Sequence, residues 1–385
     1  IIKPMIDILK NAWKFKVQPL NTAKIYESAI INNVKILQNT QKKSVLFPVL
    51  KSNAYGHGLK EVSKIFKNID VPYIAVDSFP EYEIVKKYSW KKVLILWETF
   101  TQNYQYYDFK KATFCISSLE TLQELVGFKE KIKIHLFLNT GMNREWFSEY
   151  ELMAALNIIS ESRLELEWVL SHFSSADEND FSTSEAQIKL FKKMYRKIEN
   201  EWFRPKYRHI WASAGTLKVR DDFFNAFRPW ISIFWINPLD EKDDYFWCAE
   251  KLEPAMEVFS TITKIQKVDE NQWISYNHTY ISKEKEEIAV IPFGYYEWFS
   301  RKFSNILPID MGWFMWKIRG RVCMNLTIIS LENKKEIWTQ VCLLSREPNA
   351  ENNLYSWAKV AETIPYEVMV KIHPSIHREI VKKES

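Results

Sequence analysis

The chain has 385 residues, 46% hydrophobic and 26% charged, a composition that excludes a disordered, collagen-like or disulfide-scaffold protein and, at this length, favours two domains over one. Its 53 basic and 48 acidic residues leave a formal net charge of +5. The charge is spread along the chain rather than gathered into one tract, so no nucleic-acid partner is expected.

From about residue 20 to 245, short apolar runs alternate with amphipathic stretches, as when each parallel strand is followed by a crossover helix. In chain order the pattern predicts strand Val45–Leu50, helix Glu61–Phe66, strands Pro72–Val76, Val93–Leu96 and Ala112–Ile116, and helix Ser118–Leu125. Strand Ile132–Leu138, helix Tyr150–Ser160, strand Leu164–Leu170, helix Ser184–Glu201 and strand His209–Ala212 follow. The helices carry apolar residues at three- and four-residue spacings. Seven or eight such units in about 225 residues is the size of a (β/α)8 TIM barrel; a doubly wound open sheet is the alternative that the pattern leaves. Beyond about residue 248 the runs Met256–Val268, Ile288–Pro292, Arg321–Leu331 and Ile337–Leu344 alternate with period two, and little helix is expected before residue 354. The expected organisation is therefore an α/β barrel over residues 15–248 and a C-terminal, mostly-β domain over 249–385, with a solvated tail at Val381–Ser385.

Cys115, Cys248, Cys323 and Cys342 are far apart and form no CxxC or Cys/His cluster, so neither a metal site nor a disulfide framework is expected and a cytoplasmic location fits. No run of about 18 apolar residues predicts a membrane span, and the Ile1-Ile2-Lys3-Pro4 start lacks the order of a signal peptide.

The segment richest in chemistry is Val49-Leu50-Lys51-Ser52-Asn53-Ala54-Tyr55-Gly56-His57-Gly58. A lysine ending a barrel strand points into the mouth where such folds keep their sites, and an amine half-buried there can form a Schiff base with an aldehyde. This segment closely resembles the pyridoxal-phosphate signature of the alanine racemases, fold-type III enzymes built from a barrel and a β domain. Eight further blocks resemble that family in order: Asn139–Arg144, Ser171–Asp177, Ser213–Thr216, Phe227–Pro229, Ser275–Tyr280, Pro292–Tyr295, Gly320–Asn325 and Pro365–Glu367. Together the nine span nearly the whole chain.

The resemblance implies a pyridoxal-phosphate-dependent racemase interconverting L- and D-alanine and supplying D-alanine for peptidoglycan. Lys51 would be the Schiff-base lysine and one of two bases, and Tyr276 the other, because inversion needs a proton removed from one face of the α-carbon and returned on the opposite face. The cofactor would supply the electron sink. A tyrosine of ordinary pKa, about 10, is a weak base at neutral pH; in the family a histidine and an arginine assist it, corresponding to His172 and Arg228. Arg228 would also face the pyridine nitrogen, and since guanidinium keeps its proton, that nitrogen stays unprotonated. Tyr55, Ser213, Gly215, the backbone amides of Trp230 and Ile231, and Tyr366 would hold the phosphate. Arg144 would reach the cofactor phenolate or the substrate carboxylate. Met324 would bind that carboxylate through its amide, and Tyr295 would line the entrance. Tyr276, Tyr295 and Met324 lie in the β domain, which in this family completes the other subunit's site, so a homodimer with shared active sites is implied. A racemase for serine, lysine or several amino acids is the near alternative, a fold-type III decarboxylase a more distant one. A non-catalytic pyridoxal-phosphate-binding protein is the alternative from another class; barrel-only proteins of that kind lack the Tyr276 and Met324 blocks. Three positions depart from the family: Phe137 where many members carry a lysine, Asn277-His278 for a glycine-containing pair, and Asn325 where aspartate is frequent.

The composition also holds an anomaly, 8 glycines and 16 tryptophans, where average usage of about 7% glycine would give roughly 27. Tryptophans 90, 97, 146, 168, 202, 211, 230, 235, 273, 298 and 338 fall where the family pattern calls for glycine. At about 1–3 kcal/mol each, eleven such replacements would cost roughly 11–33 kcal/mol against a net stability of about 5–15. The expectation is that UGA codons, meaning glycine in the source, stand here as tryptophan. The alternative is a genuinely aromatic-rich variant.

Overall fold

The computed structural model describes residues 18–311 and 314–382; the predicted barrel start at residue 15 and the last three residues of the tail lie outside them. Strand β1 (Thr22–Tyr26) and helix α1 (Glu27–Thr40) come first. The barrel then runs β2 (Val45–Leu46), α2 (Lys51–Tyr55), α3 (Leu59–Phe66), β3 (Tyr73–Val76), α4 (Phe79–Ser89), β4 (Lys92–Ile95), β5 (Ala112–Ile116), α5 (Leu119–Leu125) and β6 (Lys133–Phe137). It continues through α6 (Glu149–Ser160), β7 (Glu165–Leu170), α7 (Ser182–Asn200), β8 (Tyr207–His209), α8 (Ser213–Lys218) and β9 (Ala226–Phe227).

Strands β3 to β8 form one parallel sheet in sequence order, and β2 pairs with β9. Two seams close the ring. Leu50 N–H donates to Ala75 O and Ala75 N–H to Pro48 O, both at 2.8 Å, while Asn225 N–H reaches Arg208 O at 3.2 Å and Arg228 N–H reaches Trp211 O at 2.9 Å. Eight parallel strands thus make a closed barrel, and the open-sheet alternative is excluded. β3 and β5 are buried at every position, which is why they read as continuous apolar runs. α6 starts at Glu149, one residue before the predicted Tyr150, where Ser148 and Glu151 form a reciprocal capping box.

The differences from expectation are local. Predicted strand Val45–Leu50 is shortened to two residues because Pro48 has no N–H for a ladder, although Val49 still bridges to Ala75. Predicted strand His209–Ala212 ends at His209, since Ala212 already caps α8.

The second domain comprises β10 (Met256–Thr261), β11 (Lys264–Val268), β12 (Glu286–Ile291), β13 (Pro308–Asp310), β14 (Met315–Lys317), β15 (Thr327–Ser330), β16 (Gln340–Leu344), α9 (Leu354–Ala361), α10 (Pro365–Lys371) and β17 (His377–Val381). The single predicted run 256–268 is two strands in different sheets, β16-β10-β1-β17 and β11-β12-β15. β1 therefore belongs to the β domain's sheet, antiparallel to β10 and parallel to β17. One apolar core runs through both domains, from Ala23 and Ile25 through Leu136 and Val169 to Trp357 and Ile376.

Candidate active site

The loop after β2 is built to aim Lys51. Residues 52–55 have φ of 54, 57, 51 and 50°, a turn of left-handed helix that costs L-residues about 1–2 kcal/mol apiece. Polar contacts hold it: Asn53 N–H and Asp77 N–H donate to the Glu81 carboxylate at 3.2 and 3.0 Å, and Leu59 N–H donates to Asn53 Oδ1 at 2.9 Å. The Arg378 guanidinium donates to Gly56 O, Nη2 at 2.9 Å, tying the loop to the C-terminal segment. At Gly56, φ is 83° and a Cβ would sit 1.9 Å from Met369 O, so only glycine lets α10 pack here. Beside it His57 stacks on Phe234 with ring centroids 4.0 Å apart, and burial holds its imidazole neutral, down to about 3.

Lys51 Nζ emerges at the C-terminal mouth, 3.4 Å from Asp77 Oδ2. It lines a cavity of about 170 Å³ together with Tyr55, Arg144, His172, Arg228 and Trp230, alongside Phe137 and Trp97. Six residues expected at the site from distant parts of the sequence therefore meet in one place. Burial pushes the His172 imidazole down to about 3, with Arg228, Arg144 and Lys51 acting in the same direction. His172 is thus neutral at physiological pH and can serve a neighbour only as a hydrogen-bonding group. Arg228 is buried, and burial lowers it only to about 10, so it remains a cation. Its Nη2 donates to Ser171 O at 2.7 Å, and its Nη1 donates to His209 Nδ1. Because guanidinium can only donate, His209 Nδ1 must be bare and Nε2 must carry the proton.

Arg144 lies over the rings of Trp97 and Trp146, 4.9 and 5.1 Å from their centroids, and its Nε donates to Glu145 at 3.0 Å. Phe137, where the family often has lysine, stacks face to face on Trp146 at 4.1 Å. Asn325 has a local cause. It donates to Glu297 Oε1 at 3.2 Å, and the other Glu297 oxygen accepts Gly294 N–H at 2.8 Å, so an aspartate there would set two carboxylates against each other.

Sequence reasoning missed Asp77, Glu81 and His209. Asp77 could have been found by the argument that singled out Lys51, since it directly follows a predicted strand. His209 begins the predicted strand His209–Ala212, but nothing local marks its side chain as Arg228's partner. Glu81 carries no sequence signal.

The phosphate end differs. Ser213 Oγ accepts Trp230 N–H at 3.0 Å and Ser232 N–H at 3.4 Å, and Gly215 abuts Phe173, whose ring a Cβ would meet at 3.0 Å. Ile231 is buried at the start of a short 3-10 turn, Ile231–Phe234. The Trp230 indole lies between Tyr55 and Tyr366, its ring 5.6 and 5.5 Å from theirs, and its buried N–H has no hydrogen-bond partner. The hydroxyl, amides and two tyrosines suit a phosphate. The indole among them does not, so the phosphate end of pyridoxal phosphate does not fit with tryptophan at 230.

Tyr276, Tyr295 and Met324 do not line the cavity. They are 65, 43 and 56% exposed and sit on neighbouring loops of the β domain: Ser275 Oγ donates to Arg321 O at 2.7 Å, and Tyr295 N–H to Cys323 O at 3.0 Å.

A closed barrel with an amine at the mouth of its first strand, a buried arginine lining the same cavity and an appended β domain defines an enzyme of the lysine-bearing barrel class. The chain matches the alanine racemase N-terminal domain over residues 25–238 and the C-terminal domain over 255–380. It belongs to the alanine racemase family. Alanine racemase 2 of Caldanaerobacter subterraneus subsp. tengcongensis is 28% identical over 373 residues, 94% of this chain and 95% of that protein, and alanine racemase of Aquifex pyrophilus is 30% identical over 364 residues, 93% and 98%. Among solved structures, alanine racemase from Bacillus anthracis with bound L-Ala-P superposes with a TM-score of 0.87 at 26% identity, covering 96% of both chains. Alanine racemase from Clostridium difficile 630 gives 0.87 at 25%, covering 95% and 97%.

Proposed function

We propose that the protein interconverts L- and D-alanine with pyridoxal phosphate, in the cytoplasm, as a source of D-alanine for peptidoglycan. The observation that carries this reading is the convergence of Lys51, Arg144, His172 and Arg228 on one cavity in a chain related to alanine racemases along nearly its full length. Lys51 Nζ takes or returns the α-proton on one face of the substrate, and Tyr276 of a second copy serves the other face. The exposed cluster of Tyr276, Tyr295 and Met324, which does not line this chain's own cavity, supports a homodimer in which each β domain completes its neighbour's mouth. That cluster also favours a racemase over a pyridoxal-phosphate carrier, which has no use for a second base.

The test is D-alanine formation from L-alanine, followed enzymatically with added pyridoxal phosphate, on protein bearing glycine at position 230. Turnover in both directions, abolished by Lys51→Ala, supports the reading. Turnover of serine or lysine in preference to alanine would move the substrate. A Lys51-dependent cofactor absorbance with no racemisation of any amino acid would favour the carrier.

A further inference from the structure

We infer that the native polypeptide carries glycine at positions 90, 146, 168, 202, 211, 230, 235, 298 and 338, their codons being UGA read as glycine, and tryptophan at 357. The structure carries this in three ways, and only one of them leans on the cofactor reading.

The first is backbone conformation. Trp90, Trp146, Trp202, Trp235, Trp298 and Trp338 have φ of 62, 94, 65, 92, 73 and 76°. A few per cent of non-glycine residues lie at positive φ, mostly Asn and Asp, and a bulky residue there is an outlier; here it is six of the fourteen tryptophans among the described residues. Four of the six directly follow a helical segment. Trp90 caps α4, Trp235 and Trp298 cap short 3-10 turns, and Trp202 ends α7 in a paired 6→1 and 5→2 bonding pattern. These are the positions where glycine closes helices.

The second is unsatisfied polarity. The indole N–H groups of Trp146, Trp168, Trp211 and Trp230 are buried without a partner; that of Trp316 is too, but Trp316 stands at none of the eleven positions where the family pattern calls for glycine and is not assigned. The Trp168 ring is wedged inside the barrel, stacked 4.1 Å from Phe47 and 4.0 Å from His135 and lying 5.2 Å from His209. Nδ1 of His135 and Nε2 of His209 also lack hydrogen-bond partners, and His135 Nε2 has only the Glu167 carboxylate, at 3.6 Å. With glycine at 168, the vacated space is polar and wide enough for ordered water to reach those nitrogens.

The third is the phosphate cradle, where the Trp230 side chain lies between two tyrosines and beside Ser213. By contrast Trp357 sits in α9 with helical backbone, donates its N–H to Leu343 O at 3.1 Å and packs on Phe299 and Phe303.

Peptide mass spectrometry of the chain isolated from the cells that encode it, read beside the gene's codons, tests the assignment. The expected result is glycine mass at the nine positions over UGA codons, and tryptophan mass at 357 over UGG. Tryptophan at any of the nine, or glycine at 357, overturns it. Masses do not depend on activity, so a failed racemase assay leaves this result standing and the converse holds too. Recombinant chains give a second readout: with tryptophan at 230, added pyridoxal phosphate should produce no Lys51-dependent absorbance, whereas the nine-glycine chain should show it. Equal absorbance from both would overturn the inference at position 230.

Discussion

Trp202 offers the cleanest energetic test, because its side chain does nothing else. It stands at the residue after the α7 C-cap, where its N–H donates to Glu199 O at 3.0 Å and Phe203 N–H donates to Ile198 O at 3.2 Å. Its φ is 65° and its side chain is 86% exposed. Replacing it with glycine forfeits almost no buried apolar surface, relieves about 1–2 kcal/mol of left-handed strain, and gives back about 0.5–1 kcal/mol through the freer unfolded chain. The net should favour Trp202→Gly by about 0.5–1 kcal/mol, although removing a large residue normally costs stability. Trp202→Ala keeps the Cβ and therefore the strain, so it should be less stable than the glycine form by about 1 kcal/mol. At Trp247, 67% exposed with no positive φ, the same change to glycine should lose stability. Urea midpoints at constant slope, measured with glycine at the other eight assigned positions, read these differences. A Trp202→Gly midpoint below that of Trp202→Ala would refute the reasoning. If it holds, distant sites add, and glycine at the six positive-φ positions together is worth about 3–6 kcal/mol, a large share of a protein's net stability.

Tyr276→Phe should remove the base on one face only, so exchange of the substrate α-proton with solvent deuterium should persist for one enantiomer of alanine and fall by orders of magnitude for the other; equal loss for both would argue against separate bases. Asn325→Asp should destabilise the protein by about 1–3 kcal/mol, read as a lower urea midpoint at neutral pH; an unchanged unfolding curve would break the link between that departure from the family and Glu297. Glu167 predicts a pH dependence. Burial pushes its carboxyl up, but His135, Lys133 at 2.6 Å and the Tyr73 hydroxyl at 2.9 Å outweigh this and bring it down to about 2. A folded value below the unfolded one means this stabilisation is complete above about pH 4.5 and is lost as pH falls toward 2, each tenfold difference in proton affinity between the folded and unfolded chain being worth about 1.4 kcal/mol. Glu167→Gln should flatten that part of the stability profile.

The barrel was legible where strands are buried on both faces, because such strands are uniformly apolar over a length that local pattern can register. β1 was not, since its partners β10 and β17 lie more than two hundred residues downstream and nothing in Thr22–Tyr26 names them. β9 was missed because two residues make no pattern. The site followed the same rule. Lys51, Arg144, His172 and Arg228 sit in motifs that announce themselves, whereas His209 and Glu81 matter through a partner distant in sequence.

The tryptophans divide this way too. Composition shows that glycine is scarce, but only backbone angles and orphaned N–H groups show where its absence is felt. Trp97 and Trp273, singled out from the sequence, have neither a positive φ nor a buried indole N–H without a partner, so conformation is silent about them. The genetic code is not selective in that way. A reassigned codon changes meaning wherever it occurs, strained or not, so if UGA specifies glycine at 146 and 235, any UGA at 97 or 273 must do so as well. Glycine in the peptides covering 97 and 273 would show that the cause is translation, whereas tryptophan encoded there by UGA would mean that local conformation, and not the code, had produced the pattern.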